Sequence, residues 1–364
     1  MKVKLKDIAS FSKGRQINGD DLLSAGKYAY LNGGIYPSGY WDEYNVATNS
    51  IAISEGGNSC GYVNYMQSPF WCGAHCYYLY NLKYPNVKYL YYALKAQQDK
   101  IMKLRSGACM PNIKKSDLAE FEFEYNFDNN YQNVVVNQLD NLENLINLRK
   151  QQLAKLDELV KSRFVEMFGD PVKNDMGWAS KLLNEVCDGI GDGLHGTPAY
   201  DDGGEYPFIN GNNLIDGKIV ITPATKMVSE ETYKKYLVDI STNAILISIN
   251  GTLGKLAFYN GEKVMLGKSA CYCNLKQNIN KVFVYGVMKS DSFAEFLDNS
   301  STKSTIKNVG LKAIREFRLI VPPIELQNQF ATFVEQIYKS KLEIQKSLNQ
   351  LETLKKALMQ KYFG

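Results

Sequence analysis

The chain has 364 residues, 45% hydrophobic and 22% charged, which suits two globular domains better than one core. Its 42 basic and 38 acidic side chains leave a net charge of only +4; this excludes a histone-like polyelectrolyte, so any nucleic-acid contact must come from local patches. There is no apolar run of about 18 residues to cross a membrane, and the seven cysteines follow no framework spacing, so a cytoplasmic protein with free thiols and no membrane contact is expected.

In chain order, the first seven residues alternate charge without the apolar core of a leader peptide. Residues 1–127 then read as a mixed domain. β-like runs at residues 50–54 and 77–81 lie among Gly- and Asn-rich turns, and an amphipathic helix is expected near residues 87–104. Residues 128–172 read as one long helix closed by Gly169 and Pro171. Residues 173–323 read as a second mixed domain, with strands at 244–249 and 316–321 and a helix near 282–298. Residues 324–364 read as a second long helix. The fold class is therefore mixed α/β, with two α/β domains and two long helices in a pseudo-two-fold internal repeat.

The repeat is most regular in the helices. Residues 131–169 and 326–364 align without a gap at an offset of 195. Gln132-Asn133 matches Gln327-Asn328, and Leu153, Leu156 and Leu159 match Leu348, Leu351 and Leu354. In the first copy Val135, Leu139, Leu142, Ile146, Leu153, Leu156, Val160 and Met167 follow alternating steps of four and three, with Arg149 and Arg163 in the two vacant places. In the second, Phe330, Val334, Ile337, Ile344, Leu348, Leu351, Leu358 and Tyr362 do the same, interrupted by Lys341 and Lys355. A seam of this period argues for a coiled coil about 50 Å long. The plainer alternative packs each helix on its own domain. Antiparallel pairing would set the two domains at opposite ends of a rod, an arrangement that suits a DNA site with two separated half-sites.

The domains also correspond. Tyr30-Leu31-Asn32-Gly33 matches Phe208-Ile209-Asn210-Gly211, and Ile51-Ala52-Ile53-Ser54 matches Ile245-Leu246-Ile247-Ser248. Cys109-Met110-Pro111-Asn112-Ile113 matches Thr305-Ile306-Lys307-Asn308-Val309.

Catalytic patterns are poor. The spacing from Gly261 to Gly267-Lys268-Ser269 is one residue too long for a phosphate-binding loop. Cys72, His75 and Cys76 have no second ligand pair for zinc, and a partly buried strand edge is the simpler reading. No Gly-x-Ser-x-Gly elbow accompanies His195. No catalytic residue, metal ligand or cofactor is assigned to this chain.

Two variable domains, each followed by a long helix of repeated sequence, resemble the specificity (S) subunit of type I restriction-modification systems. Val321-Pro322-Pro323-Ile324-Glu325-Leu326-Gln327 looks like that family's approach to its second helix, and Asp192-Gly193-Leu194-His195-Gly196-Thr197-Pro198 resembles a loop of its recognition domains. The first half departs from the pattern: Gly14-Arg15 stands in for the Gly-Thr-Pro loop, and no Pro-Pro precedes the first helix, which leaves its start open. The resemblance implies two target recognition domains, each reading half of a bipartite, asymmetric site in double-stranded DNA. It also implies an antiparallel helical spacer that docks two modification (methyltransferase) subunits and restriction subunits. S-adenosylmethionine, ATP and Mg would belong to those partners, and this chain would be no enzyme. A protein–protein adaptor on a coiled-coil rod and a stand-alone DNA methylase or nuclease are the alternatives.

Base readout needs Asn, Gln, Arg or Lys on loops where the backbone can approach DNA, with Lys, Ser and Tyr on phosphates. The candidates are Lys13, Arg15, Asn32, Tyr36, Asn58, Arg105, Asn112 and Lys114 in the first domain. In the second they are His195, Tyr200, Asn210, Asn212, Asn213, Asn250, Lys255, Lys303, Lys307 and Asn308. Asn32, Asn210, Asn112 and Asn308 occur in both halves, so they could equally build a shared frame.

Overall fold

Each run read as a strand holds one, and the strands of the two halves assemble in the same order. The computed structural model describes residues 1–107 and 111–364; Cys109 lies outside the described residues. The other six cysteines are free and buried. The chain forms two units, Met1–Gln151 with Gln345–Gly364, and Gln152–Ile344.

The first unit begins with β1 (Lys2–Lys4), α1 (Leu5–Ile8), β2 (Ser10–Lys13), β3 (Tyr28–Leu31), β4 (Gly39–Trp41), β5 (Ser50–Ser54) and β6 (Val63–Met66). It continues with β7 (Phe70–Cys72), β8 (Cys76–Tyr80), α2 (Val87–Ala96), α3 (Gln98–Met102), α4 (Lys115–Ala119), β9 (Glu122–Glu124) and the long helix α5 (Asn129–Phe168). A four-stranded antiparallel sheet runs β2-β8-β5-β6, a three-stranded sheet runs β4-β3-β7 with β3 and β7 parallel, and β1 pairs with β9. β5 is apolar on both faces because both are covered. Ile51 and Ile53 join the core containing Leu90 and Leu94 of α2. Ala52, on the opposite face, packs with Leu31, Phe70 and Cys72.

The second unit contains β10 (Ser180–Leu182), β11 (Cys187–Asp192), β12 (Tyr206–Ile209), β13 (Leu214–Ile215), β14 (Lys218–Ile219), β15 (Lys226–Val228), α6 (Glu230–Lys235) and β16 (Ala244–Ser248). β17 (Leu256–Tyr259), β18 (Met265–Leu266), β19 (Ala270–Leu275), α7 (Lys281–Met288), α8 (Asp291–Ser300), α9 (Leu311–Glu316), β20 (Arg318–Ile320) and α10 (Ile324–Phe363) follow. The order β11-β19-β16-β17 repeats the first four-stranded sheet, β15-β12-β18 repeats the three-stranded one, and β10-β20 repeats β1-β9. Ile245 and Ile247 face one core and Leu246 the other, as in β5.

Three expectations are corrected. The helix read at residues 87–104 is broken at Gln97, whose backbone leaves the helical region and whose buried amide donates to the Phe363 carbonyl at 2.6 Å. The helix near 282–298 is also two, because Ser290 caps α8 by accepting from the Phe293 N–H at 3.3 Å. The strand read at 316–321 is shorter, since Glu316 closes α9 and Pro322 lies beyond β20.

α5 and α10 are each 40 residues long, and both ends of α10 lie 195 residues beyond those of α5, the offset of the sequence repeat. The open start of α5 is settled by Asp128, whose carboxylate accepts from the N–H groups of Asn130 at 2.8 Å and Tyr131 at 3.3 Å. The repeated Gln-Asn pair anchors each helix to its own domain. Asn133 accepts from Asn86, the cap of α2, at 3.1 Å; Asn328 accepts from Asn280, the cap of α7, at 2.8 Å. The seam residues are buried or half-buried, and Lys355, Lys341 and Arg163 among its polar breaks find partners on the other helix. Within the first unit Lys355 meets Glu143 at 2.5 Å; within the second Lys341 meets Asp157 at 2.5 Å, and the Arg163 guanidinium lies 5.9 Å from the Phe333 ring centre. Within the first unit, as α5 advances from Glu143 to Lys150, α10 retreats from Lys355 to Glu352, so the pairing there is antiparallel.

In the second unit the helices share a ring cluster. Phe168 lies 4.8 Å from Phe283 and Phe164 lies 5.4 Å from Phe330, centre to centre, with Phe330 and Phe168 fully buried. Phe330→Ala is expected to cost about 3–5 kcal/mol, from lost burial plus an unfilled cavity. Urea unfolding measures it, and an unchanged midpoint would show that the cluster is dispensable.

Candidate nucleic-acid interface

In the first unit the loops leaving β2, β3, β5 and β7 meet beside the segment that carries Asn112. Gly14 permits the meeting, since a Cβ there would collide with the Cys72 carbonyl. The Arg15 N–H donates to that carbonyl at 2.9 Å. Asn32 ties the loops together: its Oδ1 accepts from the His75 N–H at 3.0 Å and its amide donates to Gln16 at 3.2 Å. Ser54 and Ser59 both donate to the Gly33 carbonyl.

At the centre lies Glu55, whose side chain is 6% exposed. Lys13 pairs with it, the Asn112 amide donates to it at 3.3 Å, and His75 Nδ1 is 3.8 Å away. Nearby, burial and then the Glu55 charge push the Tyr77 phenol up to about 12; its hydroxyl donates to the Ile113 carbonyl at 3.1 Å. Burial likewise raises the Cys60 thiol.

The second unit builds the same frame with other side chains. Gly193 takes the place of Gly14, and a Cβ there would strike the Leu266 carbonyl. Asn210 Oδ1 accepts from Ser269 Oγ at 2.8 Å, where Asn32 accepts from the His75 backbone. Asn250 bridges Asn308 as Gly56 bridges Asn112. Asp192, at the end of β11, takes the Lys13 position, and its carboxylate lies 2.7 Å from His195 Nε2. Ile249 follows Ser248 as Glu55 follows Ser54, so the central carboxylate is replaced by a buried apolar group.

Of the expected contact residues, Arg15, Asn58, Arg105, Lys114, Asn212 and Lys303 are exposed on these loops, as are Tyr36 at 80% and Tyr200 at 45%. Lys13 and Asn112 are held on Glu55, and Lys307 is paired with Asp298. Asn250, Lys255 and Asn308 are half-buried. Asn32, Asn210 and Asn213 have side chains bonded within the frame. Asn213 accepts from the Asn210 N–H at 3.0 Å and donates to the Val220 carbonyl at 2.9 Å and Thr225 at 3.1 Å. Glu55, His75 and Asp192 join the site although they are not among the expected contact residues. His75 stands on an exposed turn between β7 and β8, not on a strand edge. The Cys72 thiol, in contact with Cys76 and buried, is raised far above its usual range.

The comparisons with known proteins agree with this duplicated frame. The model of the type I restriction modification DNA specificity domain matches residues 1–158 and again residues 176–353. The chain belongs to that family. A protein named as a type I specificity subunit in Mycoplasma genitalium is 35% identical over 168 residues, 44% of this chain and 43% of that protein. One so named in Mycoplasma pneumoniae is 40% identical over 121 residues, 33% of this chain and 32% of that protein. The chain thus spans less than half the length of either relative. The crystal structure of a type I restriction-modification S subunit from M. genitalium covers 100% of this chain and 96% of its own, with a TM-score of 0.65 at 22% identity, which shows the shared fold. No helix among the described residues is long and apolar enough to cross a membrane.

Proposed function

We propose that this chain is the non-catalytic, DNA-reading subunit of a type I restriction-modification complex. The observation that carries the reading is the loop frame built twice with different chemistry: Lys13, Glu55 and His75 around one copy, Asp192, His195 and Ser269 around the other. A repeated scaffold with divergent tips suits two unlike half-sites of one duplex, read through base edges by loop side chains and positioned through phosphates. The helices set the unread gap. Their exposed leucines, Leu145, Leu148 and Leu354 in the first unit and Leu159 and Leu342 in the second, suit docking of two modification subunits. Restriction subunits join that assembly. S-adenosylmethionine, ATP and Mg serve the partners, and the complex works in the cytoplasm.

The test is a gel shift of the chain, with its adenine methyltransferase partner, on a duplex pool randomised in two blocks. Retention of a two-block sequence is expected. Partner binding without any shift would favour the adaptor reading, and methylation by the chain alone would overturn the non-catalytic one.

A pair of substitutions separates contact from frame. Tyr36→Ala is expected to leave stability within about 0.5 kcal/mol and to weaken DNA binding. Asn213→Ala, which removes three bonds of a half-buried turn, is expected to cost about 1–3 kcal/mol in unfolding. Equal effects of both on stability would refute the distinction.

A further inference from the structure

The chain has two histidines, and the structure places one at the candidate interface of each unit. Each is exposed, and each faces a carboxylate that is not. His75 is 64% exposed, with Nδ1 3.8 Å from the 6% exposed Glu55. His195 is 70% exposed, with Nε2 2.7 Å from the 15% exposed Asp192. The two arrangements arise from different loops, His75 after β7 and His195 after β11, so the duplicated frame does not by itself explain them.

A neutral imidazole has one N–H. A carboxylate at hydrogen-bond distance, as Asp192 is from His195 at 2.7 Å, takes that N–H, and the outward nitrogen then presents a lone pair, which a phosphate oxygen repels; Glu55, 3.8 Å from His75, acts on that ring through its charge. A second proton turns that nitrogen into a donor and gives the ring a positive charge. Binding of a phosphate and uptake of a proton then become one event. The surroundings permit this. Around His75 the charged groups are Glu55 and Lys13, which pair with each other, beside the neutral Asn112 amide and the Cys72 and Cys76 thiols. Around His195 they are Asp192, Lys268 on the turn whose N–H donates to the Leu194 carbonyl at 3.0 Å, and Arg315, bound to the Ile190 carbonyl at 2.9 Å. Tyr272 stands beside Gly191 with its phenol kept neutral by burial. Lys13 is committed to Glu55, which leaves the His75 ring as the group able to gain charge there.

We propose that His75 and His195 each contact a backbone phosphate of duplex DNA, one per half-site, and each take up a proton on binding. The inference rests on the DNA-reading function proposed above. The ligand class is the phosphodiester, so these contacts strengthen binding without selecting bases.

The experiment uses the chain assembled with its methyltransferase partner and a duplex selected by that complex from a randomised pool. Affinity is measured from pH 8 to pH 6 at constant ionic strength. Histidine is the side chain that changes charge between about pH 5 and pH 8, so the affinity is expected to rise roughly tenfold per histidine. His75→Gln and His195→Gln, at exposed positions, are expected to keep the wild-type unfolding midpoint, and each to remove one tenfold share. The double variant keeps only the pH response of the partner subunits. Neutral methylphosphonates placed in one half-site should erase the share of one histidine and spare the other. Parallel pH profiles for wild type and both variants would overturn the proposal while DNA reading stands. A wild-type complex that shifts no duplex at any pH would overturn both.

Discussion

Exchanging residues 1–127 for the first domain of another family member is expected to rewrite one half-site and to leave the other half-site unchanged. The Glu55 cluster draws Lys13, Glu55, His75 and Asn112 from within that segment, so its loop chemistry moves as one block. None of the hydrogen bonds described for the second frame involves a residue of the exchanged segment. The exchange succeeds only if the domain still seats on its helix. Lys88 and Tyr92 of α2 both contact Asp140 of α5, at 2.7 and 2.6 Å, Asn86 contacts Asn133, and Gln97 contacts the Phe363 carbonyl. A chimera should therefore retain Asn86, Lys88, Tyr92 and Gln97. A mismatched base pair costs about 1–3 kcal/mol, so a half-site of three pairs carries a preference of roughly a hundredfold or more. Sequencing of the methylated sites of a host carrying the chimera measures the outcome. Loss of both half-site preferences by a folded chimera would mean that the two frames do not read independently.

The long helices were legible because their information is local and repeated. An apolar step of three and four over ten turns has few readings, and a gapless second copy at an offset of 195 removes most of the rest. β5 and β16 were legible as short unbroken apolar runs. The break at Gln97 was not, since glutamine is a good helix former and its partner, the Phe363 carbonyl, lies at the far end of the chain. The site was legible only as a set of loops. Gly-flanked asparagines marked where the backbone comes close, but they could not show whether an amide faces solvent or its own frame. Asn213 faces its frame and Asn58 is exposed, with nothing in the local sequence to separate them. Glu55 follows a strand as many loop acids do. Its partners Lys13, His75 and Asn112 come from three separate segments of the chain.

Lengthening the spacer is expected to lengthen the unread gap, but only when both helices are lengthened together. In the first unit Glu143–Lys355 and, at 3.3 Å, Lys150–Glu352 pair the helices antiparallel, and in the second Asp157 pairs with Lys341. Seven residues inserted after Gln151 alone displace α5 by about 10 Å relative to α10 on one side of the insertion. One ion pair and its seam then keep register and the other lose it, so that variant is expected to unfold at lower denaturant and to bind no two-block site. Matching heptads after Gln151 and after Ile344, both between the two ion pairs, restore every contact. That doubly extended chain is expected to keep both half-site sequences and to widen the gap by about three base pairs, 10 Å against a rise of about 3.4 Å per pair. Selection from duplex pools with graded gaps measures the shift. An unchanged gap preference in the doubly extended chain would show that the helices hold the domains without measuring the distance between the half-sites.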